Sequence, residues 1–275
     1  MTPPFSTARC FAIITGASSG LGAEFARQLA PMANGLVLAA RRGEVLEQVK
    51  AELLALRPAL TVATCACDIA TEEGRATLLA CVDAQPMKPN LLINNAGVGD
   101  YGSFEGASVE RLAGQIELNI TALVLLTHAL LPRLEHSTER PAGVLNVSSL
   151  AGNLPMPDLA VYAATKAFVT SFTEALRVEL ASKSIVVAAV CPGPTPTNFG
   201  KNARRPDGTD TNREGQDLLR VMPGQVVRTG LRTLERDAGC VFPGLGVSAA
   251  STLLRVLPRK IMRWVITRRY LSSSK

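Results

Sequence analysis

Only two histidines, His128 and His136, occur among 275 residues, and the six cysteines (Cys10, Cys65, Cys67, Cys81, Cys191, Cys240) show no C-x-x-C or other metal-ligand spacing. That scatter speaks against a zinc site and a disulfide framework, and fits a reducing compartment. No apolar run reads as long enough to span a bilayer. The first strand-like run begins near Phe11, leaving too little chain before it for a removable secretory leader. A soluble, cytoplasmic protein is therefore expected. Acids are missing beyond residue 250, where Arg255, Arg259, Lys260, Arg263, Arg268, Arg269 and Lys275 supply seven positive charges. The remainder carries 22 basic against 23 acidic side chains, so the net charge of +6 belongs to the tail and no nucleic-acid partner is expected.

What is present is a regular alternation. Strand-like runs at Phe11–Thr15, Leu36–Ala40, Thr61–Ala66, Leu91–Asn94, Val144–Ser148, Ile185–Val190 and Cys240–Phe242 alternate with helical runs such as Glu44–Leu56, Glu72–Val82, Val109–Leu131 and Tyr162–Ala181. Such alternation predicts an α/β fold, a single Rossmann-type doubly wound sheet of about seven parallel strands with helices on both faces. Hydrophobic residues make up 47% of the chain, ample for one core, and no linker, repeat or low-complexity tract divides it. We expect one domain over 1–250, including a mobile substrate loop over 194–222 whose polar middle is Lys201–Asp217, and a basic C-terminal extension over 251–275.

The stretch Thr15-Gly16-Ala17-Ser18-Ser19-Gly20-Leu21-Gly22 lies between the first strand and the first helix. Gly16 suits the tight turn, Gly20 lets backbone approach a phosphate, and Gly22 lets helix and strand pack closely. The helix N-terminus adds unpaired N–H donors and the positive end of its dipole, so this order makes a pyrophosphate site.

Four further motifs follow in order: Asn94-Asn95-Ala96-Gly97, Asn119, Ser148-Ser149, and Tyr162-Ala163-Ala164-Thr165-Lys166. With the glycine turn they closely resemble the short-chain dehydrogenase/reductase family, over roughly residues 9–200. Hydride transfer between nicotinamide C4 and a carbonyl carbon needs a proton donor for the oxygen. Tyrosine, with a free pKa of about 10, is a poor acid/base near neutrality. Lys166, one helical turn on from Tyr162, places a positive charge that favours the phenolate. The resemblance further implies that Lys166 bonds the nicotinamide ribose, that Ser149 holds the substrate oxygen with Ser148 only its neighbour, and that Asn119 holds a water of the proton relay.

The second strand ends Leu38-Ala39-Ala40-Arg41-Arg42, without the acid that NAD-binding sheets place there for the ribose hydroxyls. Arg41 instead offers a fork of donors suited to a 2′-phosphate, with Arg42 and Ser18 assisting, so NADP(H) is the expected cofactor. Some NADP-binding relatives carry a second basic residue within the glycine turn, where this chain has Ser19. The resemblance assigns Asp68 and Ile69 to the adenine and Asn95, Ala96 and Gly97 to the wall beside the adenosine ribose. Pro192, Gly193, Thr195 and Thr197 match the loop that holds the carboxamide, and Leu21 joins the phosphate turn.

These features together predict an NADP(H)-dependent oxidoreductase that interconverts a ketone or aldehyde and an alcohol. Leu154, Met156 and Phe199 suggest an apolar substrate, and the family implies a homodimer or homotetramer. The alternative is a domain that binds NADPH to sense or scaffold without turnover. Elsewhere ordinary readings prevail: Asn146-Val147-Ser148 fits a glycosylation triplet but lies on an expected buried strand, His128 is structural, and Cys65 and Cys67 are core thiols rather than metal ligands. Leu253–Ile266 mixes apolar and basic residues at helical spacing. It reads as a helix packed on its own domain or a second subunit, with weak contact to an anionic membrane surface as the alternative. The tail resembles those of hydroxysteroid and long-chain 3-oxoacyl reductases.

Overall fold

A computed structural model describes residues 4–205 and 219–273. Seven parallel strands, β1 (Phe11–Thr15), β2 (Gly35–Ala40), β3 (Thr61–Ala66), β4 (Leu91–Asn94), β5 (Ala142–Val147), β6 (Ile185–Val190) and β7 (Cys240–Val241), form one sheet in the order β3-β2-β1-β4-β5-β6-β7. Strands β1, β4 and β5 are buried along their whole length. Helices cover both faces of the sheet, which is why these strands read as continuous apolar runs instead of alternating ones. The core lies in two layers, one on each face. Phe25, Leu29, Leu36 and Leu231 belong to one, and Ile13, Val37, Leu126 and Val187 to the other.

Among the described residues the α-helices are α1 (Gly20–Leu29), α2 (Gly43–Leu56), α3 (Glu72–Asp83), α4 (Val109–Ile116), α5 (Leu123–Leu130), α6 (Ala160–Leu180), α7 (Phe199–Ala203), α8 (Pro223–Glu235), α9 (Leu245–Val256) and α10 (Arg259–Ser273). Three expectations need correction. The run Val109–Leu131 is not one α-helix, because residues Glu117–Ala122 widen into a π turn around Asn119. Residues 201–203 belong to α7 instead of a loop, while 206–218, most of the expected substrate loop, lie outside the described residues. The stack Val109–Arg133 is also long and apolar enough, with mean hydropathy 1.3, to meet the length of a bilayer span. Here Ala122, Leu126 and Leu130 pack into the core, which accounts for that apolarity. Smaller differences are that β5 begins at Ala142 and ends before Ser148, and that α9 runs across residue 250.

The order of the strands switches direction between β1 and β4, so the segments that follow them lead to opposite sides of the sheet and leave a crevice between them. The glycine turn after β1, Arg41 after β2, Asp68 after β3, Asn95 after β4, Ser149 after β5 and Pro192 after β6 all line it.

Candidate active site

The crevice has a volume of about 1860 Å³. At one end Gly16 and Gly20 adopt φ of +68° and +56°, the left-handed region that glycine enters without strain. A Cβ on Gly22 would stand 2.2 Å from the Gly16 carbonyl oxygen, so α1 meets the turn at a distance only hydrogen allows. Ser19 precedes α1 without capping it through its side chain. The first-turn amides beside Gly20 and Leu21 therefore lack a side-chain acceptor at the edge of the crevice, the arrangement that receives an anion. Asn95 braces this turn: its Nδ2 donates to the carbonyls of Thr15 (2.9 Å) and Gly16 (3.3 Å), and the Thr15 hydroxyl accepts the amides of Asn95 and Ala96.

The two arginines after β2 behave differently. Arg42 donates through Nη2 to the hydroxyls of Ser18 (3.1 Å) and Ser19 (3.2 Å), which sets a cation over the glycine turn. Arg41 reaches outward, with 71% of its side chain exposed and Nη1 3.9 Å from Asp68 Oδ2. Asp68 in turn accepts the Ala70 amide (3.0 Å), beside the buried Ile69. The basic residue missing inside the turn is thus supplied from the neighbouring strand end. Cys65 and Cys67 bring their sulfurs to 3.5 Å in the core behind this wall. Among the described residues no cluster of three or more His, Cys, Asp or Glu is arranged to hold a metal.

At the other end, α6 presents Tyr162 and Lys166 on successive turns. Lys166 is 4% exposed; its ammonium donates to the Val147 carbonyl (2.8 Å) and lies 5.9 Å from the centre of the Tyr162 ring. Burial pulls its pKa down to about 8. Tyr162 packs against Phe199 with ring centres 5.3 Å apart. Burial pushes the phenol above its ordinary value, and the Ser149 hydroxyl opposes that push. With the ammonium turned to Val147, Ser149 rather than Lys166 is the group that draws Tyr162 down in this geometry.

Ser149 closes the end of β5 and caps a short 3₁₀ turn, Leu150–Asn153, by accepting the Ala151 amide (3.1 Å). Ser148 faces the other way: its hydroxyl donates to the Lys166 carbonyl (2.8 Å) and lies 2.7 Å from the Thr170 hydroxyl. Asn119 sits one layer behind the crevice, where its side chain accepts the Val98 amide and donates to the Val98 carbonyl, both at 2.9 Å. A third bond runs from Nδ2 to Thr165 (3.1 Å), so the π turn carrying Asn119 is tied to the helix carrying Tyr162 and Lys166. A Cβ on Gly97 would meet Asn119 Oδ1 at 3.2 Å and Lys166 Nζ at 3.4 Å. Pro192 and Gly193 line the crevice nearby, with the Thr195 hydroxyl on the Gly193 carbonyl (3.1 Å) and Thr197 packed against Gly20. The structure thus gathers Ser149, Tyr162 and Lys166 on one cavity and holds Asn119 behind them.

Sequence reasoning missed the ion cluster at the rim. Asp100 accepts from Arg111 (2.7 Å) and from Arg205 (2.8 Å), and Arg205 also donates to the Ser103 carbonyl (2.9 Å). The Asp100 and Arg205 side chains are only 6% and 3% exposed. Burial works against the Asp100 carboxylate, but hydrogen bonds from Arg205 and Arg111 outweigh it and hold its pKa below the ordinary range. The cluster joins the segment after β4 to the segment after α7. Gly102 makes room for it, since a Cβ there would stand 2.6 Å from the Arg205 guanidinium. Its only sequence signal is one acid between the glycines of Gly99-Asp100-Tyr101-Gly102.

Residues 10–208 match the short chain dehydrogenase family. Sepiapterin reductase of Rattus norvegicus is 35% identical and covers 82% of this chain and 91% of its own length. Very-long-chain 3-oxoacyl-CoA reductase of Mycosarcoma maydis is 29% identical over 96% of this chain and 73% of its own. Among solved structures, a short-chain dehydrogenase from Sphingobium yanoikuyae in complex with NADPH superimposes with a TM-score of 0.77 at 29% identity, covering 92% of this chain and 95% of that one. With the glycine turn, the seven-stranded sheet and this match in place, the chain belongs to the short-chain dehydrogenase/reductase family, oxidoreductases that act on CH–OH groups with a nicotinamide cofactor.

Proposed function

We propose that the protein reduces an apolar ketone or aldehyde with NADPH, or runs the alcohol oxidation in reverse, and that Asn119, Ser149, Tyr162 and Lys166 carry the reaction. The carrying observation is the convergence of the Ser149 hydroxyl, the Tyr162 phenol and the Lys166 ammonium on one crevice that the glycine turn also borders. When bound in this crevice, a nicotinamide cofactor would supply the hydride for the carbonyl carbon. Ser149 orients the carbonyl by donating to its oxygen, and Tyr162 delivers the proton that turns the nascent alkoxide into alcohol. Lys166 bonds the nicotinamide ribose, and its charge favours the phenolate that remains. Asn119 holds the relay water that returns the proton, from its position against Val98 and Thr165.

Arg42 over the turn and Arg41 at the rim support NADPH over NADH, since both bring guanidinium donors suited to a 2′-phosphate to the end of β2. The apolar reading rests on Leu154, Met156 and Phe199 in the same crevice. A homodimer or homotetramer is supported by exposed apolar side chains on the surface helices, Ile116 of α4, Leu125 of α5 and Phe168 and Val178 of α6. The test is Tyr162→Phe assayed with NADPH and a panel of ketones, aldehydes and 3-oxoacyl thioesters. Turnover falls by roughly 10²–10⁴-fold, the usual contribution of a positioned acid, while NADPH affinity by fluorescence titration is retained. Full turnover in that variant rejects the mechanism, and NADPH binding without turnover of any carbonyl by the wild type rejects it in favour of a sensor.

A further inference from the structure

We propose that helix α10 forms the outer wall of the substrate cavity, with Ile266 and Tyr270 setting the size of the carbonyl compound it admits; this rests on the reductase reading above. Ile266 and Tyr270 line the same crevice as Tyr162, Leu154, Met156 and Phe199, although they follow Tyr162 by about a hundred residues. The Tyr270 hydroxyl donates to Asp158 Oδ1 at 3.1 Å. Asp158 stands in the loop between the Ser149 turn and α6, and it is a two-way tie: its carbonyl accepts the Gly102 amide at 2.9 Å. One buried residue therefore links the C-terminal helix, the loop after Ser149 and the segment after β4.

A further cavity of about 300 Å³ lies where Ser103, Phe104 and Pro157 meet Ile266, Tyr270 and Leu271. It extends the apolar space beyond the wall. On α10, Met262 is buried at 9% exposure, whereas Ile261, Trp264 and Val265 remain exposed on its other sides. The apolar side chains across the cavity favour a ketone with a hydrocarbon body over a small polar one.

The test compares butan-2-one with octan-2-one as probes in the wild type, Ile266→Phe and Tyr270→Phe. Filling the wall with Ile266→Phe lowers kcat/KM for octan-2-one about tenfold more than for butan-2-one, the scale at which apolar pockets sense one methylene. Tyr270→Phe raises KM for octan-2-one by a larger factor than it lowers kcat, because it loosens a wall and leaves the proton donor in place. A second readout needs no turnover: Trp264, the single tryptophan of the chain, sits on this helix. Its fluorescence anisotropy rises when octan-2-one is added with NADP⁺, and Tyr270→Phe requires more ketone for the same rise. Equal losses on both ketones, or a Trp264 signal indifferent to octan-2-one, overturns the wall. Should Trp264 respond while no ketone is reduced, the reductase reading falls and the wall stands.

Discussion

Replacing Asp100 by asparagine keeps the shape of the rim cluster and removes the Asp100 charge. Arg205, 3% exposed, then loses the Asp100 carboxylate, while Arg111, a third exposed, can turn to water. Removing one partner from a buried ion pair costs about 3–5 kcal/mol, because the other charge stays desolvated. The exposure of Arg111 places the cost near the lower end, about 3 kcal/mol. For a domain of this size each kcal/mol moves the melting temperature by about 2–4 °C, so Asp100→Asn melts roughly 6–12 °C lower. Arg205→Met is expected to cost less, since it removes the buried cation along with half of the pair and leaves Asp100 on Arg111. The difference also depends on pH. Because the folded-state pKa of Asp100 lies below its unfolded value of about 3.9, its contribution is fully present above that value and is lost as pH falls through the folded pKa. The melting curves of wild type and Asp100→Asn therefore converge below about pH 4. Differential scanning fluorimetry across pH measures all three; a larger loss for Arg205→Met than for Asp100→Asn, or a gap that persists in acid, refutes the argument.

Arg42→Ala removes the cation over the glycine turn and raises KM for NADPH about tenfold or more, the worth of a charge-assisted hydrogen bond, while KM for NADH changes less; initial rates with both cofactors read it. Gly22→Ala places a methyl 2.2 Å from the Gly16 oxygen and 2.6 Å from the Asn95 amide, so NADPH titration is expected to show binding lost even where circular dichroism shows the sheet intact. Lys166 holds its proton only up to about pH 8, so kcat/KM bends downward above that pH. In Lys166→Arg, whose guanidinium keeps its charge, the residual activity loses that bend, as a pH–rate profile would record.

Much of the architecture was legible because parallel strands covered on both faces carry uninterrupted apolar runs. Leu91–Asn94 and Ile185–Val190 announce themselves in that way and match β4 and β6 residue for residue. Tyr162 and Lys166 were legible as an i, i+4 pair on a helix that the structure confirms. The Asp100–Arg205 cluster was not, since its partners lie 105 residues apart and neither belongs to a periodic pattern. The π turn was equally hidden: its extra residue changes the backbone pitch but leaves the composition of a helix. Nor could the spacing of α10 say which side faces the protein, because apolar and basic residues occur around the whole helix and only the position of Asp158 selects Tyr270. Arg41 and Arg42 read as a pair, yet only the geometry of the turn assigns Arg42 to the serines.

Asn94 and Asn146 sit opposite each other at the ends of β4 and β5, deep in an otherwise apolar sheet. Asn94 donates to Asn146 and to Thr127 of α5, and Asn146 donates to Thr173 of α6, each at 2.9 Å. A slip of two residues between these strands would keep every side chain on its proper face, so hydrophobic pattern alone does little to forbid it. It would strand both amides without partners in a dry interior, at about 1–3 kcal/mol apiece. The chain of amides and hydroxyls therefore works as a registration key. It selects the one alignment in which Asn95 reaches the glycine turn while Ser149 reaches Tyr162, so the two halves of the crevice are built at a common height.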